Sequence, residues 1–147
     1  MATERTDPYK SFRFRVEIQG IQVAAFSNAT IPEESMDAID YREGTDPYTR
    51  RLSGMPKVGT LSLKRGMSSS LELYEWWLLV SELGAGAPGG RKNVSVVVVD
   101  DAGNDGARWD MAGVWPTKYQ SGDLDAKGGD VLIESLELAL ETIKRAR

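Results

Sequence analysis

The residues of this sequence best suited to acid–base or cation chemistry are Asp123 and Asp125, with Lys118 shortly before them. On a strand, a spacing of two sets both carboxylates on one face, where they could exchange a proton or hold a cation. Alternating acids on a wet strand face are far more often simply solvated. The chain also has no histidine and no cysteine, so the commonest general base, the commonest transition-metal ligand and any thiolate site are missing. A second acidic run, Asp100-Asp101-Ala102-Gly103-Asn104-Asp105-Gly106, lacks the glutamate-terminated spacing of a calcium loop and reads as a hairpin turn. A third group, Arg50, Arg51 and Lys57, could grip an anion. It has neither interleaved aromatics nor a phosphate-cradling glycine pattern, which favours contact with protein. No catalytic residue, metal site or cofactor is expected, and enzymatic activity is not.

Length and charge fit that reading. A chain of 147 residues is most simply one domain over 1–147, with polar residues 1–10 as a flexible N-terminal arm; a domain of this size buries about 68–70% of its unfolded surface. Twenty-two acidic against eighteen basic residues give a net charge of −4, a poor polyanion binder unless its positive charge clusters. No apolar run follows Met1-Ala2-Thr3-Glu4-Arg5, and the run from Val94 to Val99 is too short to span a bilayer. Synthesis in the cytoplasm and no membrane insertion are expected.

Most of the elements that must position these residues are strands. Phe12, Phe14, Val16 and Ile18 alternate with Arg13, Arg15, Glu17 and Gln19, a period of two with one buried face. Gly20 turns into a second strand over Ile21 to Phe26, and a third covers Met36 to Glu43. Residues 44–57 carry Gly44, Pro47, Gly54 and Pro56 and read as a long loop, a length that is usually functional or disordered. A fourth strand follows over Val58 to Arg65. Ser69 with Glu72 forms a capping box for a helix over about residues 70–83. Its apolar residues cover over half the circumference, more than the ~100° a surface helix needs, so the helix should be covered on two sides. Of Trp76 and Trp77, one should pack in the core and the other anchor an interface. Further strands cover Val94 to Val99 and Ala107 to Val114, the latter ended by Trp115-Pro116, while Lys118 to Leu124 is ambiguous. Val131 to Ile143 satisfies both periods. Its leucine and glutamate content favours helix, yet Leu136, Leu138 and Leu140 alternate with Glu137, Ala139 and Glu141 after Gly128-Gly129. A strand is expected, leucines inward and glutamates outward.

One ordered set of pieces spans nearly the whole chain. It comprises Phe12-Arg13-Phe14-Arg15-Val16-Glu17-Ile18, Ala25-Phe26-Ser27, Tyr41-Arg42-Glu43-Gly44, Arg51-Leu52-Ser53-Gly54-Met55-Pro56-Lys57 and Leu61-Ser62-Leu63-Lys64-Arg65-Gly66, then Glu75-Trp76-Trp77, Val114-Trp115-Pro116-Thr117-Lys118 and Asp123-Leu124-Asp125-Ala126. In this order they resemble the phage tail tube protein family, which includes the inner tube subunits of extracellular contractile injection systems. Two places depart from it: Asn28-Ala29-Thr30-Ile31-Pro32 stands where the family usually has a Ser-Gly-Leu turn, and Leu140-Glu141 where it tends to a His-Glu pair.

The resemblance implies a mainly β fold, an antiparallel sandwich or barrel with one flanking helix, whose strands join an inter-subunit barrel in a hexameric ring. Rings would stack into the hollow inner tube of a contractile tail or injection system, with the loop between the third and fourth strands reaching a neighbour. The implied subunit-interface candidates are Tyr41, Arg42, Glu43, Arg50, Arg51, Leu52, Met55, Lys57, Lys64, Arg65, Trp76 and Trp77. Implied partners are further copies of the chain, sheath, baseplate or hub and tape-measure proteins, and a lumen cargo of protein or DNA, in a particle built in the bacterial cytoplasm. A tube-initiator ring joining tube to baseplate is the related alternative. An alternative of another class is a small ligand-binding barrel or carboxylate enzyme using Asp123, Asp125 and Lys118.

Overall fold

A computed structural model of the chain describes residue 8 and residues 13–21, 25–45 and 47–147. Among these, nine strands and one helix follow in the order β1 (Phe14–Ile18), β2 (Asn28–Thr30), β3 (Glu34–Tyr41), β4 (Arg50–Val58), β5 (Leu61–Gly66), α1 (Glu72–Leu83), β6 (Lys92–Val99), β7 (Asp105–Gln120), β8 (Ile133–Ala139) and β9 (Thr142–Arg145). All named strand pairs are antiparallel. Seven strands form one network in the order β1-β6-β7-β8-β5-β2, with β9 also on β7, and β3 and β4 form a separate hairpin.

β7 organises the molecule. Its first half pairs with β6 on one side and β9 on the other, and its second half, from Trp115, pairs with β8. The transition falls at Gly113, whose φ of +65° is a left-handed conformation that costs a glycine little. A Cβ there would also crowd the Glu141 carboxylate at 2.6 Å. Two wings result, β1-β6-β7-β9 and β7-β8-β5-β2. Their inward residues meet in one hydrophobic cluster that includes Val16, Val94 and Met111 from the first wing and Leu61, Leu63, Leu136 and Leu138 from the second. The wings pack over a shared core without closing a barrel within the chain. Trp115-Pro116, expected to end this strand, lies inside it with a bulge between Pro116 and Lys118. Proline is tolerated because the β6 partnership ends at Val114, leaving this half of β7 with β8 alone on its ladder among the described residues.

The helix buries Leu73, Trp76 and Val80, one stripe at i, i+3 and i+7. Trp76 donates its indole N–H to the Gly90 carbonyl at 2.7 Å, while Tyr74 meets Tyr119 of β7 at 5.2 Å between ring centroids. The expected capping box does not form. Leu71 is the N-cap, with no side-chain cap, and the Ser68 hydroxyl instead accepts from the Ser70 amide within the preceding turn.

Other boundaries also move. The second expected strand runs through residues 22–24, and part of the first through Phe12, all outside the described residues; Ala25 and Phe26 are not strand, and the new strand β2 lies just beyond. The acidic turn does form a β6–β7 hairpin, in which the Asp100 carboxylate accepts from the Ala102 and Asn104 amides. The segment from 131 onward is strand from Ile133, interrupted at Leu140-Glu141, and Leu136 and Leu138 point into the core as expected. Glu134, on the same face as these leucines, is also buried.

Candidate assembly surfaces

The largest correction concerns residues 44–57. The segment is not a structureless loop, because Arg50–Val58 is the second strand of a hairpin with β3. Pro56 and Gly54 are accommodated at the one irregularity of a two-stranded ribbon. Pro56 faces Met36, and the register shifts beyond that pair, where a Cβ on Gly54 would lie 3.0 Å from the Asp37 carbonyl. Every residue of β3 is exposed, and β4 is exposed except at Gly54 and Val58. Met36 and Pro56 share one face; Ile39 and Leu52 share the other, and Met55 is 81% accessible. A lone two-stranded hairpin is marginal in water, and this one bears apolar side chains on both faces.

Tyr41, Arg42, Glu43, Arg50, Arg51, Leu52, Met55 and Lys57 all belong to this hairpin or its turn. Tyr41 donates to Glu43 at 2.6 Å, which raises the phenol's pKa; Arg51 lies 3.5 Å from Asp40, and Lys57 bonds Asp37 at 2.6 Å. These exposed pairs contribute little to stability. Sequence reasoning missed Met36, Ile39 and Tyr48, which are also exposed here. Reading Met36 to Glu43 as one half of a wet hairpin would have found the first two.

The other candidates separate. Lys64 is exposed on β5, and Trp77 is half-buried. Arg65 and Trp76, both among the interface candidates, are 3% exposed and belong to the interior, which makes Trp76 the core member of the tryptophan pair. Arg65 forms an ion pair with Glu134, which also accepts from the Tyr119 hydroxyl at 2.6 Å. The guanidinium lies 5.8 Å from the Phe26 ring centroid. Burial, reinforced by the bond to Glu134, pushes the Tyr119 phenol above its usual range.

The wing β7-β8-β5-β2 has two unlike faces. Residues directly opposed across strands share a face, so Ala29, Leu63, Leu136 and Tyr119 form one inward row, and Leu61, Leu138 and Pro116 another. The opposite face carries the rows Thr30, Ser62, Glu137, Lys118 and Asn28, Lys64, Ser135, Gln120. No apolar side chain stands in these two rows; the flanking pairs on the same face are Trp115 with Ala139 and Gly66 with Ile133. A depression of about 190 Å³ is lined by Ser62, Lys64, Lys118, Gln120, Ser135 and Glu137. At its margins the wing has two open ladders among the described residues, the outer edge of β2 and the second half of β7.

The wet face of the other wing is charge-paired. Arg15 donates to both Asp105 carboxylate oxygens at 3.1 and 3.0 Å, holding that carboxyl below its usual range. Ser95 and Arg108 both donate to Oδ1 of Asp110 and hold that carboxyl below its usual range as well.

The carboxylate site does not assemble. Asp123 and Asp125 lie in the exposed irregular stretch 121–130, not on a strand, and the Asp125 carboxylate accepts from the Lys127 amide. Lys118 stands apart on β7, and the described residues contain no group of three or more acids able to hold a metal. No described helix is long and apolar enough to cross a membrane.

A two-winged β-body with an exposed hairpin arm and, among the described residues, open sheet edges has the form of a subunit of a larger assembly, of the tube-forming class. The chain belongs to the family described as T4-like virus tail tube protein gp19, which matches residues 10–144. Its fold is shared with a chain of an extracellular contractile injection system, PVC, in the sheath/tube terminator (TM-score 0.82, 22% identity, 99% of this chain and 100% of that one). It is shared with a chain of the anti-feeding prophage baseplate (TM-score 0.78, 23% identity, 96% and 97%). Hcp1 from Flavobacterium johnsoniae is more distant (TM-score 0.60, 18% identity, 92% and 95%). No curated protein sequence matches the chain.

Proposed function

We propose that this chain is the repeating subunit of the inner tube of a contractile tail or injection particle, with a structural role and no catalysis. Copies close into hexameric rings by pairing the open edge of β2 with the open second half of β7 of a neighbour. Joined wings then form one continuous barrel around a lumen, which removes edges that would otherwise template uncontrolled pairing. Rings stack through the β3–β4 hairpin. The observation that carries this reading is that hairpin: it exposes Met36, Ile39, Leu52 and Met55 while resting on little of its own chain. Each exposed Leu or Met side chain gains about 1.5–3 kcal/mol when fully buried, so the arm supplies an interface whose area is absent from the single chain. The family further implies a sheath around the tube, a baseplate or hub and a tape-measure protein at its ends, and assembly in the bacterial cytoplasm before incorporation into the particle.

The test is assembly of the full chain, followed by sedimentation velocity and negative-stain microscopy. Rings or tubes are expected from the parent. Leu52→Ser with Met55→Ser, and separately Arg51→Glu, should leave the melting temperature within a few degrees and sharply reduce tube length. A parent that stays a folded monomer at every concentration, or hairpin variants that polymerise normally, would overturn the proposal.

A further inference from the structure

The polar face of the β7-β8-β5-β2 wing pairs with no other element among the described residues, and its composition differs from the molecule as a whole. Its two rows hold hydroxyls and amides from Thr30, Ser62, Ser135, Asn28 and Gln120 around three charges, Lys64, Lys118 and Glu137. Neither lysine has a salt-bridge partner among the described residues; Glu137 faces Lys118 across the ladder without closing on it. Two lysines against one glutamate give this face +1 while the whole chain carries −4, so everything outside it sums to −5. A basic face on an acidic protein is a segregation of charge, and repetition around a ring multiplies it. Low-dielectric walls around a narrow space focus such a field.

We infer that this face lines the lumen and selects an acidic polypeptide as its cargo, an assignment that rests on the tube reading above. The absence of apolar and aromatic groups from the two rows leaves a passenger without sticky contacts over the centre of the face, with Trp115 and Ile133 at its ends. Attraction is then confined to lysines on a hydrated surface, where ion pairs are weak and exchangeable. A passenger is retained yet able to slide. Nucleic acid fits less well. Its phosphodiester backbone brings no N–H groups to match the side-chain oxygens of the two rows, which themselves offer no ring on which an unpaired base could stack. A polypeptide's backbone amides match the hydroxyls and side-chain amides between the lysines.

The experiment assembles the full chain in the presence of a fluorescent oligoglutamate or a fluorescent oligothymidylate, pellets the tubes and measures retained probe. Microscopy of each pellet reports assembly separately. Oligoglutamate should be retained several-fold above background and more than oligothymidylate, and should be lost near 1 M salt, where the screening length is about 3 Å. Lys64→Gln with Lys118→Gln should abolish retention while tubes persist. If that double variant does not assemble, Lys118→Gln alone, with the parent's salt dependence, gives the same reading. Tubes that ignore oligoglutamate, or retain it equally without the lysines, overturn the cargo assignment and leave the assembly reading standing. Preferential retention of oligothymidylate overturns the polypeptide class. Absence of rings and tubes in the parent overturns both readings.

Discussion

Replacing Glu134 by Gln preserves the size of the side chain and its ability to accept from Tyr119, but removes the negative charge that faces Arg65. Both side chains of this pair are 4% exposed, so Arg65 would be left as a buried cation with no counter-charge. Breaking a buried pair in this way costs about 3–5 kcal/mol. For a chain near this length each kcal/mol shifts the melting temperature by roughly 2–4 °C, giving a drop of about 6–20 °C. The pair is itself incompletely satisfied, because Nη2 of Arg65 has no hydrogen-bond partner among the described residues. Removing both charges should therefore cost little: Arg65→Met with Glu134→Leu is expected within about 2 kcal/mol of the parent, since apolar replacement of buried pairs is often neutral or stabilising. The assay is urea unfolding followed by tryptophan fluorescence, at concentrations low enough to avoid assembly, which would raise apparent stability by mass action. The pair joins β5 to β8 behind the polar face, so the double variant should also retain assembly. A Glu134→Gln variant within about 1 kcal/mol of the parent, or a double variant as unstable as the single one, would refute the reasoning.

Trp76→Ala should lose about 3–5 kcal/mol in thermal or urea unfolding, because it empties a core position and orphans the Gly90 carbonyl; Trp77→Ala, at a half-buried position, should lose distinctly less, and equal losses would contradict the burial argument. Tyr119 has a raised pKa in the folded chain, so the folded state holds its proton more tightly than the unfolded one and the stabilisation present below about pH 10 is lost as pH rises through the folded value. Stability measured through the alkaline range should therefore fall in the parent and fall less steeply in Tyr119→Phe; identical slopes would remove Tyr119 as the cause.

Local patterns determined a good deal by themselves. Alternation at Phe14 to Ile18, Leu61 to Arg65 and Leu136 to Leu140 marked strands and their buried faces, because a period of two leaves only one register that hides the apolar set. The absence of proline and glycine from Leu71 to Leu83 marked the helix, and the ordered motifs pointed to the tube family before any geometry was known. Composition also disposed of histidine and thiol chemistry. The hairpin did not emerge in this way, because Gly54 and Pro56 are local breakers. Only pairing with β3 reveals that a two-stranded ribbon with a register shift can absorb them. The passage of β7 through Pro116 was likewise decided by which side of that strand lacks a partner. Arg65 looked like a surface charge beside Lys64, yet alternation turns it inward, and its partner lies 69 residues away on β8. The polar face of the β7-β8-β5-β2 wing is the same kind of fact. Lys64, Lys118 and Glu137 are unremarkable in sequence, and become neighbours only through the registers of β5, β8 and β7. Local periodicity encodes which way a side chain points; what it meets there depends on long-range pairing, which no local window contains.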